Sequence, residues 1–228
     1  MCILFINRLR GWKRIVKGRA MILKVMSLGS LQANGYILGC EKTKEAVIMD
    51  PGGDAEVIVE TLDMEGLVPL MVLNTHAHFD HIGGNRDLVE RYHIPIGIHS
   101  LELPLMKAKG GAAFFGLDIP ESPEPERLIE DGEVLSFGEY EIKALFTPGH
   151  SPGHLCFYVP LEKILFSGDL LFAGGIGRAD LPGGNMEVLA QSIVSRLYIL
   201  PDDTMVCPGH GPQTTIGDEK KYNPFVRE

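Results

Sequence analysis

Cysteine is scarce and scattered: Cys2, Cys40, Cys156 and Cys207 are the only four in 228 residues, and no two form a CxxC pair. That excludes a disulfide framework and points to the reducing cytoplasm as the expected location. No apolar run approaches the roughly 18 residues that a membrane-spanning helix needs. Positive charge is also short, with 21 Lys and Arg against 30 Asp and Glu and a net charge of -9. Nucleic acid is therefore not expected as a main partner. An anionic substrate stays compatible, because a bound metal is a strong local positive charge. There is no sequence repeat and no low-complexity tract. What remains is 45% hydrophobic and 22% charged, the balance of a globular enzyme with a full core.

The cations that exist are unevenly placed. Residues 1–20 hold six (Arg8, Arg10, Lys13, Arg14, Lys17, Arg19) and no acid. The apolar piece precedes the basic one, the reverse of a secretory signal. Met21-Ile22-Leu23-Lys24-Val25 already reads as a first core strand. We therefore expect residues 1–20 to be a basic extension outside the fold and residues 21–228 to form one domain.

Strands are expected near 22–28, 35–39, 45–49, 68–73 and 94–98, and again at 133–137, 140–146, 155–159, 163–167 and 204–207. Helices are expected over 55–65, with Asp54 as cap and Gly66 as stop, and over 85–92. A third, over 186–199, has Asn185 as cap and Met186, Leu189, Ile193 and Leu197 on one face. Residues 104–127 are rich in Gly and Pro and read as a long loop, a lid or binding loop. Two series of strands with helices outside suggest two sheets packed face to face between helical layers.

The chemistry concentrates at strand ends. Val68-Pro69-Leu70-Met71-Val72-Leu73 runs into Thr75-His76-Ala77-His78-Phe79-Asp80-His81, which holds four metal-capable side chains. Three later strands do the same on a smaller scale: into Thr147-Pro148-Gly149-His150, Ser167-Gly168-Asp169 and Pro208-Gly209-His210. Glycine lets the chain bend sharply and present the next side chain at the strand end. His76, His78, Asp80, His81, His150, Asp169 and His210 are thus candidate ligands. That is more than one tetrahedral zinc uses; two metals sharing one carboxylate would use them all. His93 and His99 read as ordinary core or surface residues, His154 as packing beside the site, and Cys207 as a small apolar residue ending its strand.

These motifs, with Asp50-Pro51-Gly52 upstream, resemble the metallo-β-lactamase superfamily from about Met21 onward. The resemblance implies an α/β fold, an αββα sandwich of two mixed β-sheets flanked by helices. It implies that His76, His78 and His150 hold one metal, that Asp80, His81 and His210 hold a second, that Asp169 bridges them, and that buried Asp50 supports the ligand loop. The stretch from Phe172 through Gly177-Arg178-Ala179-Asp180 to Gly184, together with Asn223-Pro224-Phe225, is similar to glyoxalase II-like hydrolases, thioesterases acting on hydroxyacyl-glutathione. Arg178 matches a basic residue that holds the glutathione carboxylate; the other reading is a solvated loop arginine. Full-length glyoxalase II enzymes add a C-terminal helical domain, so this chain resembles the shorter bacterial and archaeal members.

The expectation is a binuclear hydrolase, with zinc as the metal and iron or manganese as alternatives. A metal-activated hydroxide would attack the carbonyl of a thioester such as S-lactoylglutathione, with Asp80 orienting it. Alternatives are an iron-dependent persulfide dioxygenase using only His76, His150 and Asp169, and a lactonase or β-lactamase.

Overall fold

The computed structural model describes residues 9–16 and 19–227. One sheet runs β1 (Leu9–Val16), β2 (Arg19–Leu28), β3 (Ala33–Cys40), β4 (Glu45–Met49), β5 (Val68–Leu73), β6 (Ile96–Ile98) and β7 (Arg127–Leu128), in that spatial order. β1 to β4 pair antiparallel and β4 to β7 parallel, so the sheet is mixed. The second sheet draws on β8 (Val134–Phe137), β9 (Tyr140–Phe146), β10 (Leu155–Val159), β11 (Ile164–Gly168), β14 (Met205–Pro208) and β15 (Thr214–Thr215). Its order is β15-β14-β11-β10-β9-β8, and only β11 and β14 run parallel. A small hairpin of β12 (Leu171–Phe172) and β13 (Gly175–Ile176) forms a separate two-stranded sheet against β11 and β14.

Helices α1 (Ala55–Glu65), α2 (Phe79–Ile82), α3 (Asn85–Tyr92) and α4 (Leu103–Lys107) follow strands of the first sheet. Helices α5 (Met186–Ser192) and α6 (Ile216–Tyr222) belong to the second. Neighbouring residues of each central strand point to opposite faces, and both faces are covered. Leu23, Leu38 and Val47 join Phe137, Phe157 and Phe166 in the core between the sheets. Ile22, Ile37 and Ile48 pack outward on Ile58, Leu62 and Leu88 of α1 and α3. Leu145, Cys156 and Leu165 pack the other way, on Leu189, Ile193 and Leu197. This is the expected αββα sandwich, and it explains why the central strands read as unbroken apolar runs.

Three local expectations are corrected. The Asp54 side chain makes no cap bond to α1; its Oδ2 accepts the Gly29 N–H at 3.1 Å instead, tying two turns together. Met186 is exposed, because α5 begins there at the surface; Leu189, Ile193 and Leu197 carry the buried face, the last two on a π-helical turn. Residues 104–127 are not one loop: α4, a 3-10 segment over Lys109–Phe115 and β7 order much of them. Asn185 and Gly66 do cap as expected, Asn185 Oδ1 accepting the Val188 N–H at 3.1 Å.

The proposed extension lies partly outside the described residues (1–8 and 17–18), while the backbone of β1 pairs antiparallel with β2 as an edge strand. Ordering eight residues costs about 8–16 kcal/mol of backbone entropy, and each ladder hydrogen bond returns only about 1 kcal/mol net. Backbone pairing alone therefore contributes little. We propose Met21 as the start of the domain: protein lacking residues 1–20 should melt within about 4 °C of the full chain in a calorimetric scan. A cooperative loss of folding would reject that boundary.

Candidate metal centre

Four strands end on one edge of the sandwich, and each delivers side chains to the same place. Beyond β5 come His76, His78 and, on the single turn of α2, Asp80 and His81; His150 follows β9, Asp169 follows β11 and His210 follows β14. Hydrogen bonds fasten these ends: across the sheets, Leu155 N–H to Thr75 O at 2.8 Å and Asn34 N–H to Gly209 O at 2.7 Å; within the second sheet, Gly209 N–H to Gly168 O at 2.8 Å.

All seven candidate side chains converge. Donor atoms of His76, His78 and His150 lie within 4.8 Å of one another, as do those of Asp80, His81 and His210, and those of His76, His81 and Asp169. His78 Nδ1 and His150 Nε2 are 2.8 Å apart. Asp169 stands between the groups, with Oδ1 3.4 Å from His81 Nε2 and Oδ2 3.8 Å from His150 Nε2 and 3.6 Å from His210 Nε2. Asp80 Oδ2 lies 3.1 Å from His210 Nε2.

The donor set fits cations. His76 Nε2, His81 Nε2 and Asp169 Oδ1 are buried without a hydrogen-bond partner. Orphaning a buried polar atom costs about 1–3 kcal/mol, so three at one point call for a shared partner. Burial, then the neighbouring histidines, pushes His76 well down and His78 to about 3, leaving their lone pairs free. Burial opposes ionisation of Asp169, yet His81 and then His150 and His210 hold it far below the carboxylate range. His81 goes the other way: burial lowers it, but Asp169 and Asp80 raise it well above the ordinary value. A cation at that position takes the place of the imidazolium proton.

The ligand-bearing loops are held from behind. Asp50 adopts a left-handed φ of 47° and is buried. Its Oδ1 accepts the Thr75 N–H at 2.7 Å, Oδ2 accepts the Thr75 hydroxyl at 2.8 Å, and the same Oδ2 lies 3.2 Å from His81 Nδ1. His150 Nδ1 meets the carbonyl of Arg178 at 2.7 Å, which turns Nε2 toward the centre. Gly209 is required sterically, because a Cβ there would lie 2.2 Å from Asp169 Oδ1. His154 is fully buried beside the site, with Nδ1 3.0 Å from Thr147 Oγ1 and its ring stacked on His76. His93 caps α3 and His99 caps a 3-10 turn, and neither belongs to the clusters of donor atoms.

Sequence reasoning missed three supports. Buried Glu102 accepts the Ala77 N–H (2.9 Å) and the Gly153 N–H (2.7 Å), joining the loops of His76–His78 and His150. The Tyr36 hydroxyl and Asn34 Nδ2 both donate to Pro208 O, at 2.6 and 3.0 Å, beside His210. No local motif marks any of them; only the packing of the two sheets brings them to the site.

Five of the seven, His78, Asp80, His150, Asp169 and His210, line a cleft of about 390 Å³. Arg178 lines it, but its guanidinium is paired twice with Asp180, Nε to Oδ1 at 2.7 Å and Nη2 to Oδ2 at 2.8 Å. No helix among the described residues is long and apolar enough to cross a membrane.

Comparison with known proteins agrees with this geometry. The chain is 42% identical over 204 residues to the probable metallo-hydrolase YqgX of Bacillus subtilis, covering 88% of this chain and 95% of that one. It is 36% identical over 209 residues to hydroxyacylglutathione hydrolase GloC of Haemophilus influenzae, covering 90% and 98%. Among solved structures, BLEG-1 B3 metallo-beta-lactamase superposes with a TM-score of 0.85 at 42% identity, covering 90% of this chain and 100% of that one. TTHA1623 in a di-iron-bound form superposes at 0.81 with 45% identity, covering 89% and 99%. The family model of the metallo-beta-lactamase superfamily matches residues 28–210, and the chain belongs to that superfamily.

Proposed function

We propose that this metal-dependent hydrolase cleaves S-acyl thioesters, S-lactoylglutathione among them, at a binuclear centre. His76, His78 and His150 hold one metal, Asp80, His81 and His210 the other, and Asp169 is shared. The observation that carries the proposal is Asp169, whose carboxylate reaches both triads, Oδ2 lying near His150 and His210 and Oδ1 near His81. Divalent metals there supply Lewis acidity and a water deprotonated near neutral pH. Zinc is the expected metal; iron and manganese suit the same donors.

The chain's own residues do the rest. Asp80, at the cleft floor and 3.1 Å from His210, is placed to accept a hydrogen bond from the attacking water and orient it. Hydrolysis forms a C–O bond, breaks the C–S bond and releases a carboxylate, a thiol and a proton. A thiolate, whose conjugate acid has a pKa near ~8.5, departs without help. The described cleft lining holds no Lys, Tyr or Cys that would protonate a poorer leaving group. The 36% identity with a hydroxyacylglutathione hydrolase supports the same reading.

The test joins elemental analysis of purified protein to a thioester assay. Two metals per chain with S-lactoylglutathione or other thioester turnover is the expected result. One iron with oxygen uptake on glutathione persulfide, and no thioester cleavage, would overturn it. β-Lactam hydrolysis is the second reading, favoured by 42% identity with BLEG-1 B3 metallo-beta-lactamase. Nitrocefin turnover exceeding thioester turnover would decide for it.

A further inference from the structure

The cleft walls are more apolar than a glutathione conjugate needs. Leu31, Phe79, Phe115, Phe172, Ile176 and Leu181 surround the opening. Leu31 and Phe115 are each 48% exposed. Single exposed apolar residues are ordinary, but here they gather at one mouth, which marks a binding surface. Several are held in place by aromatic contacts. The Phe115 ring rests on Phe79 at 5.3 Å, and Phe172 meets His210 edge-on at 6.3 Å, so apolar walls begin directly beside the candidate ligands.

Charge tells against a polyanionic substrate. Arg178 is the one Lys or Arg among the described residues lining the cleft. Asp180 takes its Nε–H and one Nη2–H in a fork geometry and neutralises its charge, leaving the Nη1 edge as the free donor face. A glutathione carboxylate binding the free edge would meet a cation already neutralised by Asp180 and would lie near that carboxylate's negative charge.

We infer, building on the thioesterase reading above, that the cleft selects thioesters with an apolar acyl group, seated on Phe115, Leu31 and Phe172, and that Asp180, by neutralising Arg178, weakens the hold on anionic thiols such as glutathione. Asp180 and Phe115 are then specificity-determining residues. Burying each methylene of the acyl chain favours binding by about fourfold. A hexanoyl group should therefore gain at least about tenfold in kcat/KM over acetyl on the same thiol, even when part of it stays wet.

The experiment compares acetyl and hexanoyl thioesters of the neutral thiol N-acetylcysteamine with the corresponding glutathione thioesters, using metal-loaded protein. Phe115→Ser should lower the hexanoyl-to-acetyl ratio about tenfold. Asp180→Asn should raise the glutathione-to-N-acetylcysteamine ratio about fivefold or more. Ratios within one variant cancel differences in folding and metal loading. Binding of hexyl and methyl thioethers of N-acetylcysteamine, measured by calorimetry, gives the same preference without turnover. Thioester turnover with no chain-length preference and no response to Asp180→Asn overturns this inference and leaves the thioesterase reading standing. Absence of turnover on every thioester overturns the thioesterase reading itself, and equal affinity for the two thioethers then removes the apolar subsite as well.

Discussion

Replacing Asp169 with alanine should strip metal from the purified protein and lower thioester hydrolysis at least about a thousandfold. The reason is position. Asp169 is the carboxylate between two groups of histidines, 3.4 Å from His81, 3.8 Å from His150 and 3.6 Å from His210. Without it, the centre loses the negative charge shared by both triads, and the buried nitrogens of His76 and His81 have one fewer donor to complete a coordination sphere. Asp169→Asn keeps the shape and removes the charge. It should retain the fold, hold less metal than the parent, and respond to added metal more than Asp169→Ala does. Elemental analysis after gel filtration, run beside the turnover assay, reads both effects. An alanine variant carrying two metals and cleaving S-lactoylglutathione at the parental rate would refute the assigned role of Asp169.

Asp169 was legible in the sequence, and so were its six companions, because their signal is local. An apolar strand, a glycine and then a His or Asp can be read within about ten residues. The repetition of that pattern at β5, β9, β11 and β14 implied one shared rim, and the sandwich brings those ends to one edge. The layered fold was legible for a related reason: central strands covered on both faces lose the polar alternation of half-exposed ones. Long-range contacts were not legible. Tyr36 and Asn34 reach Pro208 across 172 and 174 residues of chain. Asp54 looked like a helix cap because Asp before an apolar run usually is one, but it sits in a left-handed conformation and its carboxylate accepts the Gly29 N–H instead. The Arg178–Asp180 pair lay in plain view two residues apart; only the side-chain geometry shows that the cation is already engaged.

Glu102 was the least legible of all, and its removal is expected to have the second-largest effect. In sequence it is one glutamate in Leu101-Glu102-Leu103-Pro104, with nothing to separate it from a solvated surface acid. In the structure it is fully buried, and each carboxyl oxygen accepts a backbone N–H from a different ligand loop, Ala77 at 2.9 Å and Gly153 at 2.7 Å. One side chain thereby sets the spacing between His76–His78 and His150, whose donor atoms lie within 4.8 Å of one another and on the proposed assignment share one ion. Glu102→Ala leaves two buried amides without acceptors, at about 1–3 kcal/mol each. A domain of this size then loses about 5–20 °C in Tm. Loosened loops should also weaken metal retention about 10–100-fold, the usual effect of removing a group that orients ligands. Glu102→Gln keeps one acceptor and turns an amide N–H₂ toward the other donor, so it should fall between parent and alanine in both Tm and metal affinity. Competition with a chelator, at a temperature where all three proteins are fully folded, separates the two consequences. A purely structural role predicts lower Tm with unchanged metal affinity; a role in spacing the ligands predicts that both fall together, with glutamine restoring part of each.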